Sequence, residues 1–432
     1  MSERTQQPCQ SRHKMQVQQS NRTKSLADRN DGALGLHDTV KTRVLFVVNT
    51  DQYGGLEKHL LDLLGRLAAP SVECTILCCG LDFYSQRLTD RTDIRVITAN
   101  RNRSQTFSWY WLIFVRLKPH VIVFVKGSMD SYPLKAYIAA KLSGHKRLVA
   151  MEQLIADPVP EKLIGGGMWI WLRRFMGWRA RYIARYVWGK KLAGILVDKT
   201  ICISNAVRER LVDEYGFPAD KAVTIPNGVD LRCFDSENGS NDAHMRSRDQ
   251  GSDSDEAVIL CVSRLVPRKR IDVLLDAFSL VLKDHPSCKC LIVGSGPSEE
   301  QLRRKSMELG LSASVRFAGF AEDVRPYFEK SDIYVSSSDK EGLGVSIIEA
   351  MAYRLPCIVT NIAGHNEVVS HGDNGLLVTP GSAEELAQAI KHLLVCKKER
   401  NRMGINGRKR VEELFSADNT IAKIKDVLLT RL

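Results

Sequence analysis

Four charged side chains are spaced so that they could handle an anionic substrate: Arg264, Lys269, Glu341 and Glu349. Arg264 and Lys269 lie five residues apart around Pro267, so two cations can grip one diphosphate from two sides. Taken alone, the run Ser263-Arg264-Leu265-Val266-Pro267-Arg268-Lys269-Arg270 fits a solvated basic turn as well. Glu341 and Glu349 are eight residues apart. On one continuous helix that is about 12 Å of rise and about 80° of rotation. An acid and a base acting on one glycosidic bond need roughly 5–9.5 Å between their carboxyls. The two glutamates are therefore poor as a hydrolytic pair and suit two ends of one long ligand, Glu341 near a reacting sugar and Glu349 near a ribose. A buried helix with one solvent-facing and one capping glutamate fits the spacing equally.

The elements around them read as strand, glycine turn, helix, strand. Asp332–Val335 is an apolar strand, Glu341-Gly342-Leu343-Gly344 is the turn, a helix runs from about Val345 to Tyr353, and Leu355–Val359 is a strand again. A turn of this kind aims the free N–H groups of a helix start at whatever lies above the sheet, and an anion is the natural guest. Near the start of the chain, V-L-F-V-V-N is followed by Gly54-Gly55 and by Leu60, Leu61, Leu64 and Leu67 at helical spacing. This is the opening βα unit of a doubly wound sheet, with the glycines at the floor of a cleft. A tight turn explains Gly54-Gly55 as well.

The run E-G-L-G-V-S-I-I-E-A-M-A, with P-C-I-V-T and A-G-H-N-E after it, resembles the E-x7-E signature of retaining glycosyltransferases of the GT-B fold, in particular glycosyltransferase family 4. The resemblance runs from about Arg43 to the C-terminus. It implies an α/β protein of two Rossmann-like, doubly wound domains facing a cleft, with a nucleotide-sugar donor and retention of anomeric configuration. It makes Arg264, Lys269 and Glu341 the catalytic set. The cations neutralise the leaving diphosphate, and Glu341 orients the sugar. It places Gly54, Gly55, Gln153, Gly294, Phe320, Gly342, Leu343, Gly344 and Glu349 around the donor: Gly342 to Gly344 through backbone N–H groups, the loops at Gly294 and Phe320 around the base, Glu349 on the ribose. The segments Thr200–Val207 and Val223–Asp230 resemble the family's "vSn" and "iPNGvD" stretches, although Asn227-Gly228 also fits a plain turn. Three departures stand out. Gln153 occupies the place of a sugar-contacting His; it supplies the hydrogen bond itself, or the pocket is built differently, or turnover is weakened. Arg270 replaces the glycine usual after the Lys. His365 and Asn366 alter the "GG-x-PE" loop.

Composition sets the outer limits. A chain of 432 residues, 44% hydrophobic and 26% charged, can form two domains. The expected division is a disordered tail over 1–42, an N-terminal acceptor-side domain over 43–232, a flexible linker over 233–257, a C-terminal nucleotide-sugar-binding domain over 258–412, and a helix over 413–432 returning to the first domain. Eleven cysteines without a C-x-x-C pair indicate reduced thiols rather than a disulfide frame or zinc site. No D-x-D pair ends a strand, so no metal or other cofactor is expected. The net charge of +12 points to anionic partners, and the absence of RNA-binding motifs argues against nucleic acid. Nothing approaches the roughly 18 apolar residues of a membrane span, and no signal-peptide core is visible; the cytoplasm is the default location. Residues 161–191 hold four of the six tryptophans and eight Lys or Arg against one Glu. As a helix they suit a peripheral contact with an anionic membrane surface and hence a lipid-linked acceptor; packing inside the first domain is the other reading, with a saccharide acceptor. Two rivals remain: a sugar-nucleotide epimerase of similar fold, and a membrane-associated scaffold with weakened turnover.

Overall fold

The structure is a computed structural model that describes residues 41–48, 55–79, 83–88, 91–99, 106–126, 134–145, 147–153, 188–234 and 256–430. Gly54, the tail expected over 1–42 except its last two residues, the linker except its ends, and most of the Trp-rich segment fall outside the described residues.

Two all-parallel sheets organise the described chain. The first is built from β1 (Thr42–Val48), β2 (Val72–Cys79), β3 (Ile94–Ala99), β4 (Val121–Lys126), β5 (Arg147–Glu152), β6 (Lys199–Cys202) and β7 (Ala222–Thr224), in the order β3-β2-β1-β4-β5-β6-β7. The second holds β8 (Val258–Val262), β9 (Lys289–Val293), β10 (Val315–Gly319), β11 (Ile333–Ser336), β12 (Cys357–Thr360) and β13 (Gly375–Val378), in the order β10-β9-β8-β11-β12-β13. The strands are short, nearly continuous apolar runs such as VLFVV and VIVFV because helices cover both faces, which leaves no polar side to alternate with.

In the first sheet the helices are α1 (Gly55–Leu67), α2 (Phe83–Arg87), α3 (Phe107–Leu117), α4 (Leu134–Leu142), α5 (described over 188–196) and α6 (Asn205–Asp213). In the second they are α7 (Ile271–Val281), α8 (Glu299–Glu308), α9 (Arg325–Glu329), α10 (Val345–Ala352), α11 (His365–Val368) and α12 (Ala383–Val395), followed by α13 (Lys397–Leu414) and α14 (Ala417–Leu429). One face of the first sheet packs on α3 to α6 through Tyr110, Phe114, Tyr137, Ala193 and Leu211. The other packs on α1, α2 and α14 through Leu60, Leu63, Tyr84, Ile421 and Ile424. The last helix of the chain thus closes the core of the first sheet.

In each sheet the strand order reverses direction once, between β1 and β4 and between β8 and β11. Helices leave opposite faces there, so the carboxyl ends open into a crevice, the usual ligand position in open α/β sheets. The chain leaves β8 at Ser263-Arg264 and β11 at Ser337, which brings the basic turn and the Glu341 loop to one switch point. The apolar core is continuous between the two sheets: Ile203 and Phe234 share a cluster with Leu343 and Tyr353, and the Phe234 and Tyr353 rings meet edge to face at 4.9 Å.

Candidate active site

The turn after β8 is a short 3-10 helix, Pro267–Lys269, entered from Val266. It ends at Arg270 with φ 48°, the left-handed region that costs a side-chain-bearing residue about 1–2 kcal/mol. A glycine would take this conformation freely. Arg270 is held there by its guanidinium, which donates to Asp272 and, at 3.2 Å, to Asp339. The same conformation lets Ser337 donate to the carbonyls of Lys269 and Arg270 at 3.0 and 2.8 Å, which ties the basic turn to the β11 loop.

Glu341 stands between these loops and is almost fully buried. Its carboxylate is in contact with the Lys269 ammonium, accepts from Ser338 Oγ at 2.9 Å, and lies 3.4 Å from an Arg268 guanidinium nitrogen. Burial alone would raise its pKa, but the charges of Lys269 and then Arg268 outweigh burial and hold it at about 2. Lys269 and Glu341, expected on different parts of a ligand, thus form an ion pair with each other. Arg268, absent from the expected set, reaches both Glu341 and the Lys340 carbonyl. Its place within a three-residue cationic run was the signal available. Arg264 is exposed on the same turn.

Gly344 begins α10 with φ 87° and no side-chain cap, so no side chain of the cap residue occupies the amides of the first turn. Gly342 has a different reason to be glycine. A Cβ there would lie 2.3 Å from the Gln153 carbonyl oxygen and 2.7 Å from Ile203 Cδ1, so the first domain's backbone rests directly on the loop. Leu343 is buried in the shared apolar core. Its contribution is packing, and only its backbone remains for a ligand.

The other expected donor residues divide into two groups. Glu349, on α10, accepts from Lys58 of α1 at 2.6 Å across the cleft. Lys58 follows Gly54 and Gly55 by a few residues in the chain and carried no separate signal in the sequence. Gly55 starts α1. Gln153, at the end of β5, forms a reciprocal amide pair with Asn227: Asn227 Nδ2 donates to Gln153 Oε1 at 2.7 Å and Gln153 Nε2 to Asn227 Oδ1 at 3.4 Å. Both are buried. In the second domain Gly294, at φ 135°, is demanded by the neighbouring strand: a Cβ would sit 1.9 Å from the Ser263 carbonyl oxygen. Phe320 follows Gly319 at the end of β10 and is 59% exposed.

The A-G-H-N-E loop does two things the sequence did not disclose. Glu367 accepts from the backbone N–H groups of Asn205 and Ala206, both at 2.8 Å, so a carboxylate of the second domain caps α6 of the first. Ser204, the expected helix start, supplies the side-chain cap from within that domain. His365 is fully buried; its Nδ1 lies 3.1 Å from the Thr360 carbonyl oxygen, which fixes the proton on Nδ1, and Nε2 has no hydrogen-bond partner. Burial holds its pKa down at about 4. Among the described residues, one group of three side chains could hold a metal ion: His392, Cys396 and Glu399, where α12 meets α13. It shares no residue with the expected site.

Comparison with known proteins finds matches along both sheets of the chain. The family profile described as Glycosyltransferase Family 4 matches residues 53–232, and that described as Glycosyl transferases group 1 matches residues 245–410. A GDP-mannose-dependent alpha-(1-6)-phosphatidylinositol monomannoside mannosyltransferase of Mycobacterium tuberculosis is 31% identical over 262 residues, 59% of this chain and 66% of its own length. A lipopolysaccharide core biosynthesis glycosyltransferase of Rhizobium meliloti is 32% identical over 165 residues, 38% of this chain and 47% of its own. The chain therefore spans about half to two thirds of these relatives. Among solved structures, HepE of Anabaena in complex with UDP superposes with a TM-score of 0.70 at 22% identity, covering 90% of this chain and 99% of its own. WaaG, a glycosyltransferase involved in lipopolysaccharide biosynthesis, gives 0.67 at 14%, covering 90% and 100%. At such identities these likenesses establish the fold.

Proposed function

The chain belongs to the glycosyl transferases group 1 family, with the GT-B fold, and from that premise we propose that it moves a sugar from a nucleotide-sugar donor to an acceptor with retention of anomeric configuration. The observation that carries this reading is the cluster of Arg268, Lys269 and Glu341 beside the uncapped start of α10, at the switch point of the second sheet. A diphosphate arriving there meets Arg264, Arg268, Lys269 and the helix N-terminus, which together stabilise the charge that develops as the sugar leaves. That supply of positive charge needs no metal. As phosphate draws on Lys269, Glu341 is released from its ion pair while staying ionised, and it orients the sugar hydroxyls. Glu349 exchanges Lys58 for the ribose. Phe320, exposed at the end of β10, offers a ring to the base.

The relatives support the donor class: one is named as GDP-mannose-dependent, and a solved structure of similar fold holds UDP-glucose. Their names also place them in lipid-linked glycan synthesis, which favours a lipid-linked or saccharide acceptor here. The test is a thermal-shift panel of UDP-, GDP- and ADP-sugars, where a ligand at 100 times its Kd adds about 2.7 kcal/mol. Anomeric analysis of the transfer product by NMR follows. A stabilising nucleotide sugar and an α-linked product from an α-linked donor are expected. An inverted product, or conversion of the nucleotide sugar to its epimer without acceptor, would overturn the assignment.

A further inference from the structure

The corner where α12 turns into α13 brings together three donor side chains of different types. His392 lies in the last turn of α12, Cys396 is the residue between the two helices, and Glu399 lies in the first turn of α13. His392 and Cys396 are four residues apart. The Cys396 N–H still donates to the His392 carbonyl at 2.9 Å, so the two side chains share one helix face. Cys396 and Glu399 are the N-cap and the third residue of α13, positions whose side chains meet at a helix start. The spacing H-x3-C-x2-E therefore converges through one helix end and one helix start, without help from distant parts of the chain.

The Cys396 side chain does not cap α13. Its Sγ lies 3.8 Å from His392 Nδ1, and Nε2 of the same ring lies 2.6 Å from Glu399 Oε2. One donor atom of each of the three side chains lies within 4.8 Å of the other two. Ligands of a tetrahedral zinc ion, with Zn–N and Zn–O of about 2.0–2.1 Å and Zn–S of about 2.3 Å, sit roughly 3.3–3.7 Å apart. The three donors are thus close to that spacing before any ion arrives. Arg402 lies 3.5 Å from Oε1, the other oxygen of Glu399, and is itself tied to the Gly372 carbonyl at 2.9 Å. His392 also lines an open cleft of about 290 Å³ with His371, Glu385 and Gln388, so water and small ions reach the imidazole. Thiolate, imidazole and carboxylate together are a zinc donor set, and their two negative charges balance a dication.

We propose that His392, Cys396 and Glu399 bind a zinc ion, with the fourth position left to water. Binding releases the thiol proton, and the hydrogen bond between His392 and Glu399 gives way to two bonds to the ion. One ring nitrogen, Sγ and a carboxylate oxygen are then its ligands. The donors close by about 1 Å, a small rotation for side chains at an exposed corner. The bound ion ties the end of α12 to the start of α13. Helix α13 rests in turn on α10: a Cβ at Gly404 would lie 2.1 Å from the Arg354 carbonyl oxygen, just past the end of α10, and one at Gly407 would lie 3.3 Å from Met351. The ion thus fixes the outer end of a helix that packs on the Glu349 helix, while its ligands touch none of the residues assigned to transfer. The sequence concealed the site because its ligands are of three types and no C-x-x-C pair marks it. The inference is independent of the transfer reaction and holds for any sugar donor.

The test uses the full chain, reduced and stripped of metal with a chelator that is then dialysed away. Competition with a chromophoric zinc chelator reads affinity and stoichiometry. Cobalt(II) in place of zinc reads the ligands through its sulfur-to-cobalt charge-transfer band. Wild type is expected to hold about one zinc ion tightly, to show the cobalt band, and to bind more tightly at about pH 8 than at about pH 6.5, because the thiol must lose its proton. Cys396→Ser and His392→Gln are expected to weaken binding about 100-fold or more, and Glu399→Gln about tenfold or more. Cys233→Ser, which removes an exposed thiol elsewhere, is expected to change nothing. Zinc is expected to raise the thermal midpoint of wild type and of Cys233→Ser but not that of Cys396→Ser. Matching circular dichroism of the metal-free samples establishes that the variants fold, and His392→Gln and Glu399→Gln carry the comparison if Cys396→Ser does not. No tight zinc uptake by wild type, a cobalt complex without the thiolate band, or unchanged affinity in Cys396→Ser overturns the proposal and leaves a His392–Glu399 hydrogen bond beside an ordinary thiol.

Discussion

Glu341 combines burial with an ionised carboxylate, which only the neighbouring cations make tolerable. Removing its charge while keeping its shape leaves the half-buried Lys269 and Arg268 beside a neutral amide. Glu341→Gln is therefore expected to reduce turnover by about 100-fold or more while binding of the free nucleoside diphosphate stays within a few fold or tightens, since Lys269 is then free for phosphate. Steady-state kinetics beside calorimetry decides this, and wild-type turnover in the variant would remove Glu341 from the chemistry. Held at about 2 by that ion pair, Glu341 stays ionised in the free enzyme throughout the working range, so an acid limb of kcat/KM near pH 5 must come from another group. His365 loses stability in the same direction on acidification, but in a higher pH window. Its folded-state pKa, about 4, lies below the unfolded value of about 6.5, so between these values the unfolded chain binds the extra proton. Stability is full above pH 6.5 and falls as the pH drops toward 4, by about 3 kcal/mol at most from this residue. His59, also buried and lowered to about 4, adds a second share. Denaturant titrations of wild type and His365→Asn at pH 7 and pH 4.5 should show a smaller loss in the variant.

At the scale of elements, the loops that carry the site are fixed by contacts between strands and across the cleft. The Glu341 loop is a clear case: Gly342 lies under the Gln153 carbonyl, Lys58 reaches Glu349, and Glu367 caps α6. A methyl group at position 342 meets backbone rather than a flexible side chain, so the first domain must move away. Gly342→Ala is expected to lower stability by about 1–3 kcal/mol and to enlarge the molecule in solution scattering as the cleft opens. An unchanged radius of gyration and midpoint would show that the loop absorbs the methyl locally. Glu367→Gln keeps the size of the α6 cap but loses its charge on two helix amides, and a cost of about 1 kcal/mol follows, smaller at high salt.

At the scale of the whole molecule, the chain's last helix decides whether the first domain is complete. Ala417, Ile421, Ile424 and Leu428 are buried in the same cluster as Leu60, Leu63 and Val123. The entry to α14 crosses Gly228, where a Cβ would lie 2.7 Å from Ala417 backbone, and Val229 exchanges backbone hydrogen bonds with Phe415 and Ala417. Asn227-Gly228 is thus the crossing point of two segments. Burying an Ile or Leu side chain is worth about 1.5–3 kcal/mol, so ending the chain at Ser416 removes several such terms from one face of the first sheet. That truncation is expected to bind a hydrophobic dye and to lose stability sharply, read by dye fluorescence and urea unfolding. A truncation as stable as wild type would mean that the sheet closes without α14.

The sequence by itself determined the fold and the neighbourhood of the site. Apolar runs of strand length alternating with helical spacing specify parallel sheets, and E-G-L-G-V-S-I-I-E-A-M-A sits on a strand-turn-helix unit whose geometry is local. Arg270 and the left-handed turn it completes were visible as a departure, because the backbone there favours glycine. The tertiary structure decided everything that depends on residues far apart in the chain. Lys269 meets Glu341 across 72 positions, Lys58 meets Glu349 across 291, Gln153 meets Asn227 across 74, and Glu367 reaches α6 across 161 and 162. Spacing along a chain encodes which residues share a helix face or a strand end. It does not encode which loops of two separate sheets are pressed together, since that follows from how the shared apolar core at Ile203, Leu343, Phe234 and Tyr353 packs.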